Sequence, residues 1–408
     1  MKNKNGSILA FSVFASGVTT AAILNDAGAL NVFSVFGSSY GYSILWELVA
    51  MAVVLIVVQE MMSRMAVATG KGLSDLIREN FGVKMSFIAM SILFVSSICS
   101  AVANFSGIAE SMELIGAGKY IGVFAAATAV ILIALAKNRY RVFEKVFIIL
   151  QIGIFFYIVL IFCLKPDFSS ISAKMMNSNF ELSSSYLMMV IAVVGAVGAP
   201  YMQFYMQYFF VNKAIPVKDY GYERVAVYTG SAVAIILDFI IVICSFEVFG
   251  KGGIMPDTIY KMSLIFSPLS ENYNVVFGAV MFSVSFLGCL VIPGCTAFSI
   301  CEAFGFETGE DGKLKEAPVF LAIFILIVAA SAIVVLMSEK NLFHIIFAAQ
   351  TAAGILCCIM LVFIIKIAGD REVMGSKVNN RAQNIIMWTF ICICTAIFIV
   401  AVFVKLFL

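Results

Sequence analysis

The stretch that decides the fold is Ile191-Ala192-Val193-Val194-Gly195-Ala196-Val197-Gly198-Ala199-Pro200-Tyr201, an apolar run interrupted at its centre by two glycines and a proline. Pro200 has no N–H to give the preceding turn, and the glycines loosen the helix around it. A second interruption lies in the apolar run 8–36, where Asn25-Asp26-Ala27-Gly28 forms a turn-like polar patch. Helix breaks at membrane depth are tolerated only where protein or a water-filled cavity surrounds them. These two breaks occupy corresponding places, five apolar spans apart. Interrupted spans at matching positions of two halves point to an inverted-repeat carrier whose site lies near the bilayer midplane.

The rest of the chain agrees. Of 408 residues, 62% are apolar and 12% charged, against roughly 45–50% and about 25% in a soluble domain. A spanning helix needs about 20 mostly apolar residues, and such stretches recur. Eleven spans are predicted at 8–36, 42–68, 84–109, 119–136, 139–163, 182–212, 222–249, 272–304, 317–337, 341–368 and 383–407. Together they form a single transmembrane domain over 1–408. The expected fold class is an all-α integral membrane protein of 5+5 inverted-repeat, LeuT-like architecture, with broken helices 1 and 6 and an extra helix 11.

Most of the 26 Lys and Arg residues fall in loops on the N-terminal side, among them Arg64, Lys71, Arg78, Lys84, Arg371 and Arg381. The positive-inside rule therefore places the N-terminus in the cytoplasm of a cell-membrane protein. Lys2 and Lys4 before an apolar run imitate a signal peptide, but the run reads better as the first span. A net charge of +2 leaves no basic footprint for nucleic acid. All ten cysteines lie in apolar stretches and read as small packing residues. No phosphate loop, nucleophile elbow or zinc-ligand spacing is present, so nothing argues for an enzyme or a bound cofactor.

A carboxylate at the bilayer centre costs at least about 2.5–3.5 kcal/mol on insertion scales, which makes Asp26 a functional candidate. It is the only acid in either broken span. Unwound backbone beside it frees carbonyl oxygens, and these with a carboxylate suit a hard cation. Asp238 lies mid-span in the seventh helix, Gln203 and Gln207 share a face of the sixth, and Gln350 lies in the tenth. Each of these can line a path or serve as glue between helices. Glu47 and Glu60, towards the ends of span 2, are expected to reach the interface, and His344 reads as no ligand.

Three motif groups carry a resemblance. One is Gln59-Glu60-Met61-Met62-Ser63-Arg64 followed by the loop from Thr69 to Gly82. A second runs from Pro268-Leu269 through Pro293-Gly294-Cys295-Thr296-Ala297 to Glu302-Ala303-Phe304-Gly305. The third is Ala349-Gln350 followed by Asp370-Arg371-Glu372-Val373-Met374-Gly375 and Asn379-Asn380-Arg381. Together they resemble the NRAMP family of divalent-metal transporters over nearly the whole chain. Counting back from Gly41-Tyr42-Ser43-Ile44-Leu45-Trp46, the family's Asp-Pro-Gly-Asn motif falls on Asp26-Ala27-Gly28-Ala29. The acid stays and the amide is gone. The family's metal-binding Met, followed by Pro and His, falls on Ala199-Pro200-Tyr201. The third-helix region Ser96–Ser106 lacks the acids that coupled members carry on a proton route.

The resemblance implies a divalent cation as substrate and alternating access by rocking of helices 1 and 6. Asp26 would bind the ion, the carbonyls of Ile23 and Ala196 would complete the shell, and Gln350 would join in an occluded state. Gly28, Pro200 and Tyr201 would shape the site, and Ala29 and Ala199 would matter for the room they leave. Without a thioether the site loses its preference for manganese and iron, and space for water suits a partly hydrated magnesium ion. The reading is a magnesium-preferring carrier, possible for manganese too, uncoupled from protons. Its rivals are a proton-coupled manganese or iron importer and a carrier of a small organic solute on the same scaffold.

Overall fold

The computed structural model describes residues 25–136, 155–176, 181–212, 220–253, 255–308, 317–338 and 342–407. In chain order the principal helices are α1 (Ala27–Tyr40), α2 (Leu45–Thr69), α3 (Leu73–Leu114), α4 (Lys119–Leu135), α5 (Phe155–Leu164), α6 (Phe168–Met176), α7 (Ser184–Gly198), α8 (Pro200–Asn212), α9 (Tyr220–Ser245), α10 (Tyr273–Phe304), α11 (Pro318–Met337), α12 (Leu342–Ala368) and α13 (Arg381–Phe407). Every predicted span overlaps at least one of them. Predicted residues 8–24 and 139–154 lie outside the described set, so the part of span 1 before its break is not described.

Residues 27–69 read as one 43-residue helical run by hydropathy, but α1 and α2 are two arms joined by the tight turn Gly41–Ile44. The proof is their shared neighbour. Gly37 abuts Val242 and Tyr42 donates to Glu247, so α1 runs parallel to α9. Ser63 lies 3.4 Å from Tyr220 and Glu60 lies 3.7 Å from Arg224, so residue numbers fall along α2 as they rise along α9. The chain therefore reverses at Gly41–Ile44.

α3 is longer than its predicted span 84–109. It begins at Leu73 and kinks at Gly82, where φ is +78°, a conformation that costs glycine little and other residues much. The first turns of α3 are thereby set apart from the spanning part. α6 is an addition that hydropathy did not reveal: it leaves α5 at 101° and brings Lys174 over the rings of Tyr42 and Phe246, 5.9 and 5.4 Å from their centroids.

α3 lies at the centre of the bundle and packs most extensively on α10 and α12. Small residues let backbones close up, as membrane helices require in the absence of a solvent-driven squeeze. A Cβ added to Gly195 would lie 2.0 Å from the carbonyl oxygen of Gln350, and one on Gly354 would lie 2.2 Å from that of Ile191. α7 is thus pressed backbone to backbone against α12. Large apolar side chains such as Phe124, Phe162 and Ile385 face outward, as they must where the bilayer is the solvent.

Candidate metal site

The site is built on a helix start. Asp26 has extended backbone (φ −94°, ψ −179°) and α1 begins at the next residue. Its Oδ1 accepts from the Ala29 N–H at 2.9 Å, so the carboxylate caps α1 and sits at the positive end of its dipole. What reads in sequence as a charge stranded in mid-span is the N-cap of a half-helix.

Three side chains from three other helices converge on this carboxylate. Asn104 of α3 donates Nδ2 to Oδ2 at 3.1 Å. Tyr201 of α8 donates its hydroxyl to the same oxygen at 3.4 Å, and Gln350 of α12 donates Nε2 to Oδ1 at 3.4 Å. All four residues are buried. Among the described residues no ion pair reaches Asp26, so dipoles alone compensate its charge. A buried carboxylate without a counter-ion calls for a cation or a proton.

The second break is equally local in origin. α7 ends at Gly198, Ala199 takes an extended conformation (φ −50°, ψ 141°) and α8 starts at Pro200. Because Pro200 has no N–H, the carbonyl of Ala196, four residues earlier, lacks the donor that a continuous helix would supply. The break also sets Tyr201 one residue into α8, where its ring reaches Asp26.

Of the predicted site residues, Asp26, Gln350 and Tyr201 meet directly. Ala29 contributes its N–H, and Gly28 lets Gln350 approach, since a Cβ there would lie 1.5 Å from Nε2. Ala196, Ala199 and Pro200 form the break in the sixth span, and Ile23 lies outside the described residues. The room expected at Ala29 and Ala199 takes a different form. Both are buried, and the cavity beside Asp26 measures about 10 Å³, lined by Asn25, Asp26, Tyr201, Gly288 and apolar residues of α10 such as Leu287 and Ile292. That is space for about one water. Tyr201 and the two amides have closed in on the carboxylate.

Other predicted positions lie elsewhere. Gln207 donates to the Lys71 carbonyl at 2.9 Å, tying the end of α8 to the α2–α3 loop. Gln203 lines a separate cavity with Cys357 and Phe390. Asp238 is buried in α9 with one carboxylate oxygen unpartnered among the described residues. Glu47 and Glu60 do not reach the interface; both are buried, because Tyr186 donates to Glu47 and Arg64 pairs with Glu60. All ten cysteines are free, and His344 is exposed.

Asn104 is not among the sequence-predicted site residues, because the expectation for the third span rests on acids and Asn104 is an uncharged amide. The signal was a lone Asn inside Ala101-Val102-Ala103-Asn104-Phe105, a costly residue in an apolar span. Glu110, also buried in α3, lies one turn beyond the third-helix region Ser96–Ser106 that the family motif matches.

Comparison with known proteins places this geometry. The family model described as natural resistance-associated macrophage protein-like, Nramp, matches residues 17–404. The divalent metal cation transporter MntH of Bacillus subtilis is 21% identical over 378 residues, covering 88% of this chain and 84% of its own. That of Granulibacter bethesdensis is 23% identical, covering 85% and 78%. A crystal structure of the Eremococcus coleocola manganese transporter superposes with a TM-score of 0.75 at 16% identity, over 94% of this chain and 85% of that one. Mhp1, a nucleobase-cation-symport-1 family transporter, follows at 0.59 and 11% identity, over 97% and 90%. At such identities these structures speak for the fold alone, and that fold is the expected all-helical, LeuT-like one.

Proposed function

The chain belongs to the natural resistance-associated macrophage protein family, and from that premise we propose that it carries divalent cations across a cell membrane, magnesium by preference, without coupled protons. Relatives named as divalent metal cation transporters and a manganese transporter support the general class. The observation that carries the finer reading is the donor set around Asp26. Among the described residues it holds one carboxylate, two amides, a phenol and the backbone at the starts of α1 and α8, with no thioether and no imidazole. No group of three or more His, Cys, Asp or Glu residues that could hold a metal occurs among the described residues.

Such a set is hard in character. Oxygen ligands favour magnesium, calcium and manganese, whereas thioether and thiolate ligands select softer ions. One carboxylate half-neutralises a divalent ion, and the remaining positions fall to neutral oxygens and retained water, as magnesium accepts. The free carboxylate is held by N–H and O–H donors; an arriving ion displaces them. The two amides can then turn their oxygens inward, and the Tyr201 hydroxyl can offer a lone pair. Asp26 belongs to α1 and Tyr201 to α8, while Asn104 and Gln350 belong to α3 and α12. Rocking of the α1/α8 body against α3 and α12 would open the site to one side at a time. Positive loops on the N-terminal side support a cytoplasmic N-terminus.

A second reading, proton-coupled transport of manganese, is favoured by the small cavity, which has little room for a hydrated ion, and by the manganese transporter of the same fold. Reconstitution in liposomes separates the two. Uptake of magnesium, manganese and calcium is measured with and without a pH gradient, alongside a pH-sensitive dye in the lumen. The proposal requires magnesium entry with no accompanying acidification. Manganese entry that acidifies the lumen while magnesium is excluded would replace it by the second reading.

A further inference from the structure

Asn104 stands at the junction of everything the ion must touch. Its Nδ2 donates to Asp26 at 3.1 Å and to the carbonyl of Ser100 one turn below at 2.8 Å. Its Oδ1 accepts from the Ala27 N–H, the first of α1, at 3.4 Å. The amide also presses into a notch in α10, because a Cβ on Gly288 would lie 2.3 Å from Oδ1. Gly288 and Asp26 both line the small cavity, and Asn104 lies against both of them.

The coordination arithmetic asks for such a group. A magnesium or manganese ion takes about six oxygens, and at the start of α1 side-chain oxygens come only from Asn25 and Asp26, both lining the cavity, with Ala27, Gly28 and Ala29 adding none. α3 brings a side chain that hydrogen-bonds both the carboxylate and the Ala27 N–H at the start of α1. An amide serves both states of such a site. Its NH₂ end stabilises an empty carboxylate, and its carbonyl end is a hard oxygen for a cation. The hydrogen bond to Ala27 is long and therefore weak, so little holds Oδ1 in its present direction.

We propose that Asn104 is a ligand of the transported cation, exchanging its hydrogen bond to Asp26 for an Oδ1–ion bond when the ion arrives. This rests on the reading of Asp26 as the ion site. It gives α3 a direct part in selectivity, and it makes the ion itself the bridge between α1 and α3. A positioning role, in which only the NH₂ end matters, makes the opposite forecast for the loaded state.

Manganese is the probe, bound to the purified full-length protein. Crystals soaked in manganese should give an anomalous peak beside Asp26 with Asn104 Oδ1 within about 2.0–2.6 Å of it. In calorimetry Asn104→Ala should weaken manganese binding about tenfold, a difference of about 1.4 kcal/mol, while Asn104→Asp, which keeps the oxygen and loses the donor, should bind at least as tightly as wild type. Thermal melting of each variant establishes that it is folded. A peak on Asp26 with Oδ1 farther than about 2.6 Å from the ion, or Asn104→Asp binding as weakly as Asn104→Ala, overturns the ligand role and leaves the Asp26 site standing. A peak remote from Asp26 overturns the site reading itself.

Discussion

Asp26 and Glu60 are both carboxylates buried in the same bundle, at 4% and 3% exposure, yet their surroundings are opposites. Glu60 is paired in full. Arg64 lies 3.1 Å away on the next turn of α2, Tyr220 donates at 3.0 Å and Gln383 at 2.8 Å. Arg64 in turn donates to Asn379 at 2.6 Å and to the carbonyl of Lys377. α2, α9 and the start of α13 are locked together by this network. Among the described residues Asp26 has no cation, only neutral donors at 2.9–3.4 Å. A carboxylate that holds helices together carries its counter-charge in the protein. One left with dipoles has a counter-charge that comes and goes.

The contrast is most directly broken by removing each charge in turn. Asp26→Asn keeps size and removes the charge that offsets ion dehydration, so metal uptake in liposomes should fall to background while the melting temperature is unchanged or higher. Normal uptake by this variant would move the site elsewhere. Arg64→Met should do the reverse. Leaving Glu60 with only the half-exposed Arg224 at 3.7 Å should cost less than the ~3–5 kcal/mol of a fully uncompensated buried charge, read as a clear drop in melting temperature, with transport surviving in the protein that remains folded. Equal loss of transport in both variants at full stability would erase the distinction between a site charge and a structural one.

Smaller changes sharpen it. Ala199→Met places a thioether at the break in the sixth span and should shift preference several-fold from magnesium towards manganese or cadmium in competition uptake; an unchanged ratio would show that Ala199 does not face the ion. Tyr201→Phe removes one of the two longest hydrogen bonds to Asp26, at 3.4 Å, worth about 1 kcal/mol or less. Its expected effect is a change of less than about fivefold in KM for manganese, with the maximal rate retained. A complete loss would instead make the hydroxyl a ligand that the ion cannot do without.

Much of this was legible in the chain because the bilayer imposes simple rules. A 20-residue apolar stretch has one stable outcome in lipid, so the helices and their order followed from hydropathy. Asp26 stood out because a charge in such a stretch is expensive, and Pro200 because its chemistry removes a donor wherever it stands. The membership in the family followed from local motifs at Gln59–Arg64, Pro293–Ala297 and Asp370–Gly375. These are properties of a residue and its immediate neighbours, and composition and spacing carry them in full.

What tertiary structure alone decided is which distant groups face one another. Nothing in the spacing of Asn104, Tyr201 and Gln350, which are separated from Asp26 by 78, 175 and 324 residues, says that they meet on one carboxylate. Nor does it say that Glu60, another acid in an apolar span, finds an arginine, a tyrosine and a glutamine. Whether a void left by a small side chain stays open is likewise a matter of packing: Ala29 and Ala199 promised room, and the structure has both buried, with a cavity of about 10 Å³ beside Asp26. Polarity along a chain determines that a group must be satisfied. Only the packed bundle determines by what, because hydrogen bonds and ion pairs act over about 3 Å and the partners that come within that range are chosen by how whole helices stack.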